Sequence, residues 1–442
     1  MKRYSKKKRA SSFLKTFSEL DNKTDKSYYR CMFKKLFKRS QKEIFIPIFD
    51  TMENLFLPQK HPYEFLSQDD IKHSLSFLQA YSGVAATFNA YRRDLERFLQ
   101  WCERICNKSI KDIKRSDIED FIYFCQKPPK IWIGLQNNHR FIKKDGIRIP
   151  NPKWTPFVAT LSKVAIRKGE KVTRKDFEFT QASIKDAFAI LGSFYNYLMQ
   201  EEYVLMNPVA LIRQKSKFIR KQQGINKIRR LSETQWKYVI NTATNLAEIK
   251  PEQHQRTLFI MSALYSMYLR ISELCANDLW TPQMRHFHKE PDSSWWFTTV
   301  GKGNKQRQIA VSDSMLDALK LWRTHLGLSP LPTLADKTPL LPKVKGKGAI
   351  KETSYVRKIV QNCFDQAIIS LKDDQLFEEA NALMEATVHW LRHTGISDDV
   401  KVRPREHVRD DAGHSSSAIT DKYIDIERRA RHLSAKNKII PS

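Results

Sequence analysis

The nine residues 387–395, TVHWLRHTG, decide how this chain is interpreted. His389, Arg392 and His393 stand close together on a stretch whose pattern predicts a helix. Because His389 and Arg392 are spaced i and i+3, they share one helical face. Alone, this spacing is typical of an ordinary polar helix face. An imidazole beside a guanidinium can also hold an anion next to a proton carrier, and the rest of the chain decides between the two.

The composition favours a globular protein with a polyanionic partner. The chain has 442 residues, enough for two or three domains, and 41% of them are hydrophobic. Lys and Arg number 77 against 48 Asp and Glu, which gives a net charge of +29. Nucleic acid is the default polyanion for such an excess. An anionic membrane surface would require an apolar helical face or anchor, and the sequence displays neither.

The sequence predicts a cytoplasmic protein without a membrane span. No run of 18 apolar residues occurs, and the basic N-terminus has no apolar stretch of the signal-peptide type after it. None of the 6 cysteines forms a CxxC pair, and no zinc set is completed near Cys102 and Cys106. Free thiols in a reducing cytosol are the simpler interpretation.

The chain divides into a basic extension over 1–60, a helical domain over 61–212, a basic linker over 213–230 and a second domain over 231–442. The first forty residues carry 14 Lys and Arg against 3 Asp and Glu, which suits a solvated tail or a DNA-contacting arm equally. The linker contains no acidic residue. It is either a plain soluble connection or a segment that lies along a phosphate backbone.

Apolar periodicity predicts helices in the first domain over 85–106 and near 181–203. Ser116 and Glu119 have the spacing of a capping box at the start of another helix. The segment at about 127–180, rich in basic residues, Trp, Pro and Gly, is predicted to be an irregular insertion.

In the second domain, Ser232 and Gln235 predict a capping box at the first helix. The period then changes over 294–312, where alternating apolar residues flank a Gly-rich turn, which predicts a β-hairpin with a basic tip. Helices follow from 313 onward. The predicted fold class is therefore mainly α with a small β-sheet or hairpin in the second domain.

Four short stretches of this second domain carry reactive side chains: YLRISEL, GKGNKQR, HWLRH and AGHSSSAITDKYID. Each is weak alone. GKGNK lacks the GxxxxGK[ST] spacing of a phosphate-binding loop. Arg270 and Glu273 in the first stretch are spaced like a plain ion pair.

Taken in order, the four stretches resemble the tyrosine recombinase (phage integrase) family, over roughly residues 65–430. The family's catalytic set falls on Arg270, Lys302, His389, Arg392, His414 and Tyr423. The resemblance implies a two-domain DNA clamp, with a core-binding (SAM-like) domain at 61–212 and a catalytic domain at 231–442. Three features depart from the family. They are Tyr268, where the family often has Gly before Leu-Arg, an acidic insertion at about 372–386, and the 127–180 insertion, which the smallest members lack.

The resemblance implies a recombinase that cuts and rejoins specific double-stranded DNA through a 3′-phosphotyrosine at Tyr423. It also implies a tetramer on two DNA sites, and neither ATP nor a metal nor another cofactor. Arg270 and Arg392 would grip the non-bridging phosphate oxygens with bidentate hydrogen bonds and remain charged. Lys302 would protonate the leaving 5′-oxygen.

The remaining polar residues receive supporting roles. His389 is placed to take the tyrosine proton or to hydrogen-bond the phosphate, and His414 to donate to a non-bridging oxygen. Glu273 either orients the site or forms a surface ion pair, and His393 is predicted to support the site by packing. The predicted DNA contacts are Arg92, Arg93, Arg229, Arg230, Lys305 and Arg307.

Three alternatives compete with this interpretation. A type IB topoisomerase shares much of the chemistry but would relax supercoils without a defined pair of sites. A non-catalytic DNA-binding relative is the second, and the intact catalytic set argues against it. The third is a metal-dependent nuclease using acid pairs such as Asp398 and Asp399. Adjacent carboxylates on a helix point about 100° apart, which makes such a pair a poor metal site.

Overall fold

The computed structural model describes residues 45–55, 62–210, 212, 218–219, 229–301, 303–421, 423 and 435–436. The chain forms two compact units, 1–222 and 223–442. Four predictions concern residues outside the described part: most of the basic extension, most of the linker, Lys302 and the tail after Tyr423.

The first unit is built around five helices in its described residues. They are α1 (Gln68–Ala80), α2 (Ala85–Trp101), α3 (Arg115–Gln126), α4 (Lys163–Arg167) and α5 (Gln181–Gln200). A π-helical turn, Cys102–Cys106, follows α2 directly. The predicted periodicity is confirmed, because Phe88, Leu95 and Phe98 of α2 are at most 1% exposed in the core.

The start of α3 differs from the prediction. Lys114, rather than Ser116, is the N-cap, and its backbone N–H donates to Asp117 Oδ2 at 2.8 Å. Asp117 also accepts hydrogen bonds from Lys108 Nζ at 2.8 Å. Asp117, at the third helical position, therefore satisfies an unpaired N–H at the start of the helix. The sequence had assigned this task to Glu119, which lies two residues later.

The segment at 127–180 contains short strands rather than only irregular loops. They are β1 (Ile133–Gly134), β2 (Phe141–Lys144), β3 (Ile147–Pro150) and β4 (Phe157–Val158). β1 pairs with β4 in parallel, and β2 pairs with β3 antiparallel. A two-residue turn, Asp145 and Gly146, both with positive φ, closes the β2–β3 hairpin.

In its described residues, the second unit holds nine helices and a three-stranded sheet. Its helices are α6 (Glu233–Ile249), α7 (Pro251–Ser266), α8 (Ile271–Leu274), α9 (Asp313–His325), α10 (Thr353–Asp373), α11 (Phe377–Leu383), α12 (Val388–Asp399), α13 (Arg405–Ala412) and α14 (Ser417–Asp421). Its strands are β5 (Phe287–Lys289), β6 (Trp295–Val300) and β7 (Gln306–Ala310).

The predicted hairpin and capping box of this unit are confirmed. β6 pairs antiparallel with β7, and β5 adds a third strand on the other edge of β6. The Ser232 hydroxyl oxygen accepts a hydrogen bond from the backbone N–H of Gln235, and Oε1 of Gln235 accepts one from the backbone N–H of Ser232. Mainly helical structure with small sheets agrees with the predicted fold class.

Helix α12, which carries the TVHWLRHTG stretch, lies unusually close to α7. A Cβ atom at Gly395 would come within 2.1 Å of the backbone oxygen of Tyr265, so a larger residue would force the helices apart. This close approach lets Arg392, one turn before Gly395, reach the backbone of Tyr268 in the loop between α7 and α8.

Among the described residues, no helix is both long and apolar enough to cross a membrane.

Candidate active site

A buried carboxylate, Glu273, holds two arginines beside strand β7. Glu273 of α8 is 1% exposed and accepts hydrogen bonds from Nη1 and Nη2 of Arg307, both at 2.8 Å. It also accepts from Nη1 of Arg270 at 2.9 Å and from the Arg270 backbone N–H at 2.8 Å. Glu273 therefore orients both guanidiniums, and it is not a surface ion pair.

The charge of this cluster remains intact at neutral pH. Burial tends to raise the pKa of Glu273, but hydrogen bonds and attraction from Arg307 and Arg270 outweigh it, so the net pKa is lowered. Two arginines share one carboxylate, which leaves a positive charge. The side chain of Arg270 is 30% exposed, against 10% for Arg307, so Arg270 is the more available to an incoming anion.

Arg392 is held between two backbone carbonyls. Its Nη1 donates to the oxygen of Tyr268 and its Nη2 to the oxygen of Ala412 at 2.6 Å. Burial, and then repulsion from Arg270, lowers the pKa of Arg392 to about 9, so it stays charged at pH 7. Neutral acceptors leave that charge uncompensated, which suits a site for an anion.

The turn after α13 fits closely around Arg307. Gly413 has a φ of 64°, and a Cβ there would come within 2.7 Å of Cδ of Arg307. Arg307 Nε also donates to the backbone oxygen of Asp411 at 2.9 Å. The glycine in AGHSSS is therefore required both by the left-handed backbone and by the close approach. It sets the position of His414, the next residue.

Tyr423 contacts the second histidine of HWLRH. Its hydroxyl oxygen lies 2.5 Å from Nδ1 of His393, and the two rings are nearly parallel at 5.4 Å. Tyr423 is 7% exposed. Burial raises the pKa of the phenol, although Arg392 and Arg270 oppose this, so the hydroxyl keeps its proton at neutral pH.

The other two histidines flank this pair. The His414 ring lies 5.9 Å from the Tyr423 ring and nearly parallel to it, and its Nδ1 is 2.9 Å from Oγ1 of Thr420. The His389 ring meets the His393 ring edge-on at 4.2 Å. The expected order of the two imidazoles is thus reversed, because His393 rather than His389 contacts the phenol.

All three imidazoles are neutral at pH 7. Burial, followed by His389, Arg392 and His414, lowers the pKa of His393 to about 3. Burial and the nearby guanidiniums lower the pKa of His414 to about 4. The pKa of His389 is lowered in the same direction, by burial and then by Arg392 and Arg270. Neutral imidazoles can accept a proton as well as donate one.

The structure thus brings together five of the six predicted catalytic residues, while Lys302 lies outside the described part. Gly301, which precedes it, borders the cluster, since a Cβ there would come within 3.3 Å of Nη1 of Arg270. In the part of the chain that the structure describes, no three His, Cys, Asp or Glu residues are arranged to hold a metal ion.

The predicted DNA contacts have diverse surroundings. Lys305 and Arg229 are exposed, and Arg230 lies 3.6 Å from Asp398. Arg93 is paired with Asp94 at 2.9 Å. The contacts of Arg92 are with the Asp50 backbone oxygen and Asn89 Oδ1. Their role toward DNA stays a prediction.

The sequence reasoning did not recognise Arg307 as a partner of Glu273. Arg307 and Ile309 are two apart on β7, and Ile309 is fully buried. Since residues i and i+2 of a strand point to the same face, this alternation indicates an inward-facing arginine. That signal was available in the sequence.

Comparison of the sequence with known proteins finds relatives that are tyrosine recombinases. The chain is 25% identical over 302 residues to tyrosine recombinase XerC of Bacillus licheniformis, covering 67% of this chain and 84% of the relative. It is 28% identical over 251 residues to XerC of Anoxybacillus flavithermus, covering 56% and 72%. No protein-family model matches the chain.

A solved structure of XerH site-specific recombinase, bound to palindromic difH substrate in a post-cleavage complex, has a similar fold. The TM-score is 0.52 at 16% sequence identity, over 84% of this chain and 89% of XerH. The fold and the sequence matches define a DNA recombinase that uses tyrosine chemistry. The resemblance noted above is confirmed, because the chain is similar to tyrosine recombinases both in sequence and in fold.

Proposed function

We propose that this chain cuts and rejoins double-stranded DNA at specific sites through a covalent bond between Tyr423 and a 3′-phosphate. The observation that carries the proposal is the placement of Tyr423. Its hydroxyl contacts a neutral imidazole, His393, at 2.5 Å, and the charged Arg270 and Arg392 influence its ionisation. A nucleophile, a proton acceptor and cations for a phosphate are the parts that phosphoryl transfer requires.

In the proposed reaction, the phenol oxygen attacks the phosphorus and the 5′-oxygen leaves. Arg270 and Arg392 bind the non-bridging oxygens and stabilise the negative charge that develops on them. His389 and His414 donate hydrogen bonds to the same phosphate. Lys302 gives its proton to the 5′-oxygen, and no ATP is consumed because the phosphotyrosine conserves the bond energy for rejoining.

Two further properties come from the family resemblance. We propose a tetramer that holds two DNA sites, with the tail after Tyr423 docking on a neighbouring subunit. The curated relatives are bacterial, so we propose that the protein acts on bacterial DNA in the cytoplasm and associates with the nucleoid. The named matches are recombinases, which supports recombination over the topoisomerase alternative.

The test is covalent capture on DNA. Duplexes that bind the protein are selected from a random-sequence library, remade with a nick that lets the short cut fragment diffuse away, and run on a denaturing gel. Wild type should form an adduct, whereas Tyr423→Phe should bind equally and form none. An adduct at the wild-type level with Tyr423→Phe would remove Tyr423 as nucleophile.

The same duplexes separate the alternatives. Binding by wild type without any adduct would favour a non-catalytic relative. Relaxation of a supercoiled plasmid that lacks the selected sequence would favour topoisomerase activity. Joining of two selected duplexes into recombinant products is the outcome expected of a recombinase.

A further inference from the structure

The hydroxyl of Tyr423 has one side-chain partner among the described residues, and it is His393. The separation of 2.5 Å between Oη and Nδ1 is that of a short hydrogen bond. His414 directs its Nδ1 to Thr420 instead, and His389 contacts the His393 ring rather than the phenol.

The direction of this hydrogen bond follows from the charge states. His393 is neutral at pH 7, and Tyr423 retains its proton. The phenol O–H therefore donates to a lone pair on Nδ1, and the imidazole carries its own hydrogen on Nε2. This is the arrangement of a general base before reaction.

We propose that His393 is a catalytic residue that takes the proton of Tyr423 during DNA cleavage, an inference that rests on the proposed function. The Oη–H bond breaks as the H–Nδ1 bond forms, Oη bonds to phosphorus, and the P–O5′ bond breaks with its electron pair on the 5′-oxygen. In rejoining, an incoming 5′-hydroxyl attacks the phosphorus and gives its proton back to Lys302, the proposed acid of the cleavage step, while the imidazolium returns its proton to Oη as the phosphotyrosine bond breaks.

The neighbouring arginines make this base responsive to substrate. The positive charge of Arg392 opposes protonation of His393. A bound phosphate brings negative charge to Arg392 and Arg270 and offsets that repulsion, so an imidazolium at position 393 becomes easier to form. The tyrosine is therefore activated when DNA occupies the site and remains protonated when the site is empty.

The experiment measures the first-turnover rate of adduct formation, with protein in excess over the selected nicked duplexes. His393→Gln keeps a hydrogen-bonding side chain without a basic nitrogen, and His389→Gln is the matched control one turn away. His393→Gln should bind DNA like wild type, form adduct about 10²- to 10⁴-fold more slowly, and gain rate as the pH is raised. His389→Gln should lack that pH response.

A more acidic nucleophile provides a second readout. Fluorinated tyrosine at position 423 has a phenol that loses its proton more readily, so it should restore much of the rate of His393→Gln and little of that of His389→Gln. Imidazole added to His393→Ala should give a comparable rescue if the Gln variant does not fold.

The outcomes distinguish the two levels of the proposal. A wild-type rate for folded His393→Gln, or slow cleavage that neither fluorinated tyrosine nor imidazole restores, would overturn the role of His393 as base. Absence of an adduct with wild-type protein would instead overturn the proposed function itself.

Discussion

The backbone carbonyl of Tyr268 accepts a hydrogen bond from Nη1 of Arg392, and Tyr268 presents it from a left-handed conformation with a φ of 48°. Such a φ is costly for a bulky residue. The Tyr268 side chain is fully buried, and its hydroxyl bonds to Asp399 and to Nη1 of Arg403, the latter at 3.0 Å. A buried aromatic anchor thus holds the strained backbone where the family often has Gly.

Replacing this anchor should separate packing from strain. Tyr268→Gly would relieve about 1–3 kcal/mol of backbone strain but lose about 3–5 kcal/mol of buried packing, so the packing loss dominates. We expect a lower free energy of unfolding in urea, together with slower cleavage because Arg392 loses a fixed acceptor. A Tyr268→Gly variant as stable as wild type would show that strain outweighs packing.

Tyr268→Phe is the matched control for that variant. It keeps the ring and the backbone but removes the hydrogen bonds of the hydroxyl with Asp399 and Arg403, which already pair with each other at 3.2 Å. We expect a loss of about 1–2 kcal/mol in urea unfolding, with cleavage near the wild-type rate. A large loss of cleavage in Tyr268→Phe would mean that the hydroxyl, not the carbonyl, positions Arg392.

Local sequence patterns predicted the structural features that depend on residues close to one another in the sequence. Ser232 and Gln235 cap one helix, and the 294–312 hairpin follows from alternation and a Gly-rich turn, so both were predictable. The contact between His393 and Tyr423 joins residues 30 apart in sequence. It depends on how α12 packs against the chain after α14, which no local spacing encodes. The left-handed Tyr268 was equally hidden, because nothing local favours that conformation in a tyrosine.

The roles of Arg307 and Lys305 should differ although both were predicted to contact DNA. Arg307→Ala would leave the buried Glu273 with Arg270 alone, at a cost of about 3 kcal/mol in urea unfolding. Lys305 is exposed, so Lys305→Ala should change stability by less than about 0.5 kcal/mol. If it contacts a phosphate, the slope of log K against log salt should flatten by about 0.9. If Arg307→Ala were as stable as wild type and flattened the slope of log K against log salt, Arg307 rather than Lys305 would be the residue that contacts a phosphate.

The half-buried His393 should make the protein less stable in acid. The pKa of His393 is about 3 in the folded chain, below the ordinary value of about 6.5. The unfolded chain therefore binds a proton first, and stability present above pH 6.5 falls as the pH drops toward 3. Between pH 7 and pH 4.5, the free energy of unfolding in urea should fall more for wild type than for His393→Gln.

The final prediction concerns Lys302, the proposed acid for the 5′-oxygen. Lys302→Ala should cleave normal DNA about 10²- to 10⁴-fold more slowly. When sulfur replaces the bridging 5′-oxygen, the leaving group departs as a thiolate without a proton, so Lys302→Ala should cleave that substrate at nearly the wild-type rate. Arg270→Ala should be slow on both substrates, because its proposed task is to stabilise charge on the non-bridging oxygens. If sulfur does not rescue Lys302→Ala, then Lys302 only contacts a phosphate, and Lys305 or a water molecule becomes the candidate acid.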